Sequence, residues 1–132
     1  MRPVPAGESA TLDVVVTPEM TVQFDQLGAV HPVYATYTMA KHFEEASRAL
    51  LLRHLEPGED GIGRSLAVEH LAPSRVGDRI QVTATCTRSE GNRLTCSCAA
   101  VDAGGRELGT GSTVQAALPV ASLRARLGLP AG

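Results

Sequence analysis

The stretch "VYATYTMAKHFEEASRALLLRHLEPGED", residues 33–60, decides the fold prediction. Four apolar side chains recur at steps of four, three and four, which is the spacing of one face of an α-helix: Met39, Phe43, Ala46 and Leu50. Thr36 or Thr38 is expected to cap the start of this helix with its hydroxyl, and Pro57 with the glycines after it ends the helical pattern. Glu44 falls close beside the apolar face. The segment therefore predicts one long amphipathic helix with a carboxylate at the border of its buried side.

After the helix, apolar and polar residues alternate, which is typical of strands with one buried face. The alternation predicts strands over residues 64–70, 79–88, 93–102 and 107–118. Residues 11–18 are rich in β-branched side chains and predict a first strand, whereas residues 18–37 show only weak periodicity and are expected to form a long connection. A short C-terminal helix through Leu123 and Leu127 is also expected. A strand, a helix and an antiparallel meander are the element order of the hotdog fold, although the pattern alone admits other α+β folds.

Composition limits the possible function classes. With 132 residues and 43% hydrophobic content, residues 1–132 are expected to form a single domain. A formal net charge of -2 indicates no basic surface for nucleic acid. No apolar run suits a membrane span or a secretory leader, and three cysteines are an odd number that fits free thiols in a reducing compartment. The sequence therefore favours a cytoplasmic protein that binds neither nucleic acid nor membrane.

The predicted core is poor in large side chains. Aromatic residues make up only 3% of the chain, so Val, Leu, Ala and Ile must fill the interior. Burial against a second copy would compensate for this thin core, which favours a homodimer or a higher homo-oligomer.

Three segments resemble the fluoroacetyl-CoA thioesterase family of small hotdog enzymes: "VYATYTMAKHFEEA", "LEPGE" and "GRSLAVEHLA". The resemblance extends over residues 33–114 and implies a hotdog fold, in which an antiparallel β-sheet wraps around one long central α-helix. It also implies that Thr36, Glu44 and His70 form the catalytic constellation, because these positions match the Thr, Glu and His of that family. Gly63 matches a family glycine at the start of the strand that carries the His.

The three residue types suit the hydrolysis of a thioester. Glu44 can attack the carbonyl or act as a base toward water, and His70 supplies an imidazole, the side chain best suited to carry protons at physiological pH. Thr36 is a weak nucleophile, so we interpret its hydroxyl as a positioning group, close to the partial positive charge of the helix N-terminus. Each residue also has a structural interpretation, since Thr36 can cap the helix, Glu44 can face solvent and His70 can lie at the surface.

The substrate predictions follow from the same resemblance. The expected substrate is a small acyl thioester of CoA or of an acyl-carrier protein, contacted by Gly63, Tyr37, Phe24 and Arg64, with no metal and no cofactor besides the CoA of the substrate. Tyr37 replaces a small family glycine, and Phe24 is the only phenylalanine where the family has a pair of lid phenylalanines. The sequence therefore does not determine which acyl group the substrate carries. His42, next to Lys41, is predicted to face solvent, and the cysteines and histidines lack the spacing of a zinc site.

Two alternatives belong to other classes. A hotdog hydratase or dehydratase would also use a His with a carboxylate, but the acid nearest His70 in sequence, Glu69, points to the opposite face of its strand. A non-catalytic module that binds an acyl-CoA would keep the pocket without turnover. Release of free thiol from acyl-CoA separates hydrolysis from both alternatives.

Overall fold

A 17-residue helix lies against one face of a five-stranded antiparallel sheet. In the computed structural model, which describes residues 1–130, the elements follow the order β1 (Ser9–Val15), a 3-10 turn (Pro18–Met20), β2 (Thr21–Phe24), β3 (Gly28–Tyr34), α1 (Thr36–Leu52), β4 (Glu59–His70), β5 (Arg79–Glu90), β6 (Arg93–Asp102), β7 (Glu107–Pro119) and α2 (Val120–Arg126). The strand order is β1-β5-β6-β7-β4, and β2 pairs with β3 in a separate hairpin. All five strands of the large sheet contact α1, which is the predicted arrangement of a sheet wrapped around one long helix.

The apolar face of α1 packs close against the backbone of β7. Met39, Phe43 and Leu50 are fully buried, as the spacing predicted. A Cβ added at Gly109 would overlap the Met39 sulfur, and one added at Gly111 would lie 2.9 Å from the Phe43 ring. Glycines at these positions let the helix approach the strand backbone, and a side chain there would push it away.

In the middle of the edge strand β4, the alternation of side chains between the two faces of the sheet is interrupted. Its pairing with β7 shifts register between Gly63 and Ser65, so a β-bulge lies at this point. Before the bulge, Gly63 faces the helix. After the bulge, Val68 and His70 face the helix. Their partners on β7 are Gly111 and Gly109, which lie against Phe43 and Met39 of α1. The strand also begins at Glu59, earlier than predicted. The bulge turns the final side chain of β4, His70, toward the start of α1.

The predicted long connection over residues 18–37 is largely structured. It contains the 3-10 turn and the β2–β3 hairpin, whose pairing shifts register twice between Thr21 and Gln23. These irregularities hide the alternating pattern by which strands are found in a sequence. No helix within residues 1–130 is long and apolar enough to cross a membrane.

The three cysteines are free and buried, as the sequence predicted. Cys96 and Cys98 lie on β6 and face the core, and burial raises the pKa of the Cys96 thiol to about 11. The thiol is therefore protonated at neutral pH, and these residues act as small core side chains.

Candidate active site

Thr36 and His70 meet where the first residue of α1 lies beside the last residue of β4. The Thr36 Oγ1 lies 2.9 Å from His70 Nδ1, and His70 Nε2 lies 2.9 Å from the carbonyl oxygen of Ala72. Because a carbonyl only accepts hydrogen bonds, Nε2 must carry a proton and donate it. In the neutral imidazole Nδ1 is then an acceptor, and the Thr36 hydroxyl donates to it. This is the relation of a hydroxyl to a general base.

The Thr36 hydroxyl is free for this contact because it does not cap the helix. The N-cap residue is Ala35, which has no side-chain hydrogen bond, so the expectation that Thr36 or Thr38 caps the helix is wrong. Thr38 instead donates from its hydroxyl to the carbonyl oxygen of Met20, which ties α1 to the segment before β2. Tertiary contacts with β4 and with the 3-10 turn therefore take both hydroxyls away from capping.

Glu44 lies two turns further along α1 and faces a different part of β4. Its side chain is exposed, and its carboxylate lies over Gly63, where an added Cβ would overlap Oε1 and approach Cδ to 3.2 Å. Gln115, which pairs with Gly63 across the strands, is buried and points its Nε2 at the Glu44 carbonyl oxygen, 3.5 Å away. The absence of a Cβ at Gly63 leaves the space that the carboxylate occupies.

The two pairs are separate within one chain. Thr36 and Glu44 are eight residues apart on α1, which corresponds to about 12 Å along the helix axis. Gly63 and His70 are about 20 Å apart along β4. A single chain thus presents two half-sites, the Thr36–His70 pair and the Glu44–Gly63 pair, and the structure does not bring Glu44 onto His70 of the same chain.

The remaining predicted substrate contacts lie around these half-sites. The Tyr37 hydroxyl donates to the Gln23 carbonyl oxygen at 2.6 Å and accepts from the Gln23 N–H at 2.8 Å, which fastens the β2–β3 hairpin next to Thr36. The Phe24 ring packs against Tyr37 with centroids 5.7 Å apart, and both rings are about half exposed. Arg64 is exposed at the β4 bulge, beside Gly63. Residues 1–130 contain no group of three or more His, Cys, Asp or Glu side chains arranged to hold a metal ion.

A buried Tyr–His pair next to His70 was missed by the sequence analysis. His42 is only 7% exposed, so its predicted place on the solvent-facing side of α1 is wrong. Its Nδ1 lies 2.5 Å from the hydroxyl of Tyr34, a fully buried residue at the end of β3. The signal was present, because His42 follows Met39 by three positions and therefore continues the helical face.

Comparison with known proteins shows the family of the chain. The sequence profile of the family described as fluoroacetyl-CoA-specific thioesterase matches residues 16–121. The chain belongs to the fluoroacetyl-CoA-specific thioesterase family. It is similar to the fluoroacetyl-CoA thioesterase of Streptantibioticus cattleyicolor, with 32% identity over 92% of this chain and 90% of that protein.

Solved structures of this thioesterase family and superfamily superpose closely on the chain. A hypothetical protein of Thermus thermophilus, a thioesterase superfamily member, has a TM-score of 0.94 and 47% identity over 97% of this chain and 93% of that one. A variant of the fluoroacetyl-CoA thioesterase in complex with acetyl-CoA has a TM-score of 0.85 and 30% identity over 94% of this chain and 96% of that one. Family membership confirms the predicted hotdog fold and the prediction that the chain is a thioester hydrolase. The roles of individual residues stay predictions.

Replacing Gly63 with Ala is expected to lower thioesterase activity while leaving the fold intact. The new methyl group would displace the Glu44 carboxylate, and a misplacement of about 1 Å in a catalytic group can cost on the order of 10²-fold in rate. The displaced atoms are the free end of a flexible side chain, so the melting temperature should change little. Gly104→Ala is the matched control, because its Cβ would meet only Asp102 Oδ1 at 3.5 Å. Full activity in Gly63→Ala would contradict the assignment of Glu44.

Acid is expected to destabilise the fold through His42. Burial lowers the pKa of this imidazole in the folded state, whereas in the unfolded chain its pKa is about 6.5. Below that pH the unfolded state binds the extra proton first, so the free energy of unfolding falls as the pH drops from about 6.5 toward the folded pKa. Urea unfolding at about pH 7.5 and about pH 5.0 measures this loss. The Tyr34→Phe/His42→Leu double variant, which removes both polar partners, should show a smaller acid-induced loss than the wild type.

Proposed function

We propose that this thioesterase hydrolyses small acyl thioesters of CoA, with Thr36 and His70 acting on the thioester carbonyl. The observation that carries the proposal is the hydrogen bond from the Thr36 hydroxyl to His70 Nδ1, with Nε2 fixed by the Ala72 carbonyl oxygen. The only basic nitrogen of this imidazole is therefore directed at one hydroxyl. The relatives that carry acetyl-CoA or are named for fluoroacetyl-CoA support CoA as the carrier.

The geometry favours Thr36 as the nucleophile over the positioning role inferred from the sequence. The Oγ1 would bond to the acyl carbon while its proton passes to Nδ1, and the C–S bond would then break as the CoA sulfur takes that proton. Water would next attack the acyl-threonine, giving its proton to Nδ1, and the acid would leave as Oγ1 regains a proton. Mass spectrometry after an acid quench should find the acyl group on the peptide that contains Thr36, and an acyl group on Glu44 instead would overturn this assignment.

A second copy of the chain is proposed to complete the site. The 12-residue strand β4 lies at the edge of the sheet, and Leu66 on its helix-facing side is 37% exposed. An open edge of this length needs a cover. The β4 strands of two chains can pair antiparallel, related by a two-fold axis that passes midway between residues 63 and 70. Gly63 of one chain then lies opposite His70 of the partner subunit. Glu44 would then join the Thr36–His70 pair of the other chain and direct the water that attacks the acyl-threonine.

Substrate class is tested by thiol release from a series of acyl-CoAs. Acetyl-, fluoroacetyl-, propionyl-, butyryl-, hexanoyl- and lauroyl-CoA are compared, with acetyl groups on an acyl-carrier protein as a separate arm. We expect the highest kcat/KM with the short chains on CoA, because Tyr37 and Phe24 border the Thr36 half-site. Absence of thiol release from all of them would overturn the proposal, and a preference for the acyl-carrier protein would overturn the choice of carrier. The reaction needs no cofactor besides the CoA of the substrate, and the free cysteines support a reducing, cytoplasmic setting.

Mixing two inactive variants is expected to restore activity if the site spans two subunits. In a heterodimer of Glu44→Ala and His70→Ala chains, one of the two sites has both an intact Glu44 and an intact His70. Equal mixing with random exchange should therefore recover about a quarter of the wild-type rate. Each variant alone is the control. If subunit exchange is verified and the rate does not recover, Glu44 and His70 of the same chain form the site, which contradicts the proposed interface.

A further inference from the structure

Tyr34 lies between a buried histidine and the proposed catalytic base. Its ring stacks on His42 with centroids 5.7 Å apart and an interplanar angle of 14°. The same ring stands nearly perpendicular to the His70 imidazole, with centroids 6.3 Å apart and an angle of 76°. Tyr34 is therefore in aromatic contact with both imidazoles, while its hydroxyl bonds to His42.

The backbone of Tyr34 also supports the loop that anchors His70. Its N–H donates to the Ser74 carbonyl oxygen at 2.8 Å, and the neighbouring Val33 pairs with Arg75. This loop contains Ala72, whose carbonyl oxygen accepts the His70 Nε2–H. One residue thus holds the segment behind the imidazole and contacts the imidazole itself.

The Tyr34–His42 pair carries no charge at neutral pH. Burial raises the pKa of the Tyr34 phenol far above neutrality and lowers the pKa of His42. A neutral neighbour does not oppose the positive charge that His70 acquires when it takes a proton, whereas a charged imidazole at His42 would repel it. The pair therefore contacts His70 without placing a charge beside it.

Building on the proposed function, we propose that Tyr34, whose ring stacks on His42, is a positioning residue that holds the His70 imidazole in its working orientation. The hydrogen bonds from Thr36 and to Ala72 fix the two ring nitrogens, and the perpendicular Tyr34 ring restricts the tilt of the imidazole plane. Without that ring, the imidazole rotates and Nδ1 faces the Thr36 hydroxyl for only part of the time.

Tyr34→Leu and Tyr34→Phe together test this role. Tyr34→Leu should lower kcat for the best acyl-CoA by about tenfold or more with KM nearly unchanged, because orientation of the base affects the chemical step rather than binding. Tyr34→Phe keeps the ring and should recover most of the lost kcat. Long-range ¹H–¹⁵N spectra should show one Nε2–H tautomer of His70 in the wild type and in Tyr34→Phe, and a mixture of tautomers in Tyr34→Leu.

Val82→Ala is the control for a general loss of stability. Val82 is fully buried on β5, three strands away from β4, and its truncation leaves a cavity without touching His70. An unchanged kcat and tautomer in Tyr34→Leu, or the same kcat loss in Val82→Ala at an equal melting temperature, would overturn the inference. If the wild type releases thiol from none of the acyl-CoAs, the proposed function fails, but the tautomer spectra still test the positioning of His70.

Discussion

Replacing His70 with Ala is expected to lower kcat for acyl-CoA hydrolysis by about 10²–10⁴-fold, the range that a general base contributes. The Thr36 hydroxyl would lose the acceptor that lies 2.9 Å away and would have no base to take its proton. KM should change little, because the imidazole takes part in proton transfer rather than in binding the carrier. Steady-state thiol release at saturating and limiting acyl-CoA measures both constants.

His31→Ala is the matched control for this result. His31 is an exposed histidine on the β2–β3 hairpin. Its replacement removes the same type of side chain as His70→Ala but leaves both half-sites intact. Its kcat should equal that of the wild type. A His70→Ala enzyme that retains more than about a tenth of the wild-type kcat would show that another group takes the proton.

Glu44→Gln is expected to lower kcat by about 10²–10³-fold with the fold intact. The amide has nearly the same shape as the carboxylate, so it fits the space over Gly63, but it carries no charge and its NH2 end cannot accept a hydrogen bond from the attacking water, which is then poorly directed. The loss should appear in the hydrolysis of the acyl-enzyme, so this variant is expected to accumulate acyl-Thr36. Rapid acid quench followed by mass spectrometry measures that accumulation.

Glu45→Gln separates the role of Glu44 from a general effect of charge. Both glutamates are exposed on α1 and are adjacent in sequence, but only Glu44 lies over Gly63. Glu45→Gln should therefore keep the wild-type kcat. Equal losses in the two variants would mean that net charge near the site, rather than one carboxylate, controls the rate.

Several elements of the fold are predictable because their signal is local. Strand β6 runs from Arg93 to Asp102, as the alternation predicted, and α1 buries Met39, Phe43, Ala46 and Leu50. When one face of a helix or strand is buried, apolar residues recur along the sequence with the period of that element, so the pattern can be read from the element's own residues. The β2–β3 hairpin was not predictable in this way, because its register shifts break the alternation and the Tyr37 hydroxyl fastens it from another element.

The residues of the half-sites were named from a resemblance, but their relations depend on contacts between distant segments. The bulge in β4 turns His70 toward Thr36, and the missing Cβ at Gly63 makes room for Glu44. His42 was misplaced because a polar residue next to Lys41 suggests solvent, whereas the Tyr34 hydroxyl supplies the partner that makes burial possible. A hydrogen-bond partner eight residues away in the chain is invisible to a pattern that scores each side chain by its own polarity.

The amino-acid sequence by itself determined the long helix, the antiparallel meander, the free cysteines and the family to which the chain belongs, because periodicity and motif order are properties of the chain alone. Only the tertiary structure decided that Thr36 donates to His70 instead of capping its helix, and that Glu44 faces Gly63 about 12 Å along the helix from Thr36. These relations are distances between side chains on different elements, and they exist only once the sheet has closed around the helix.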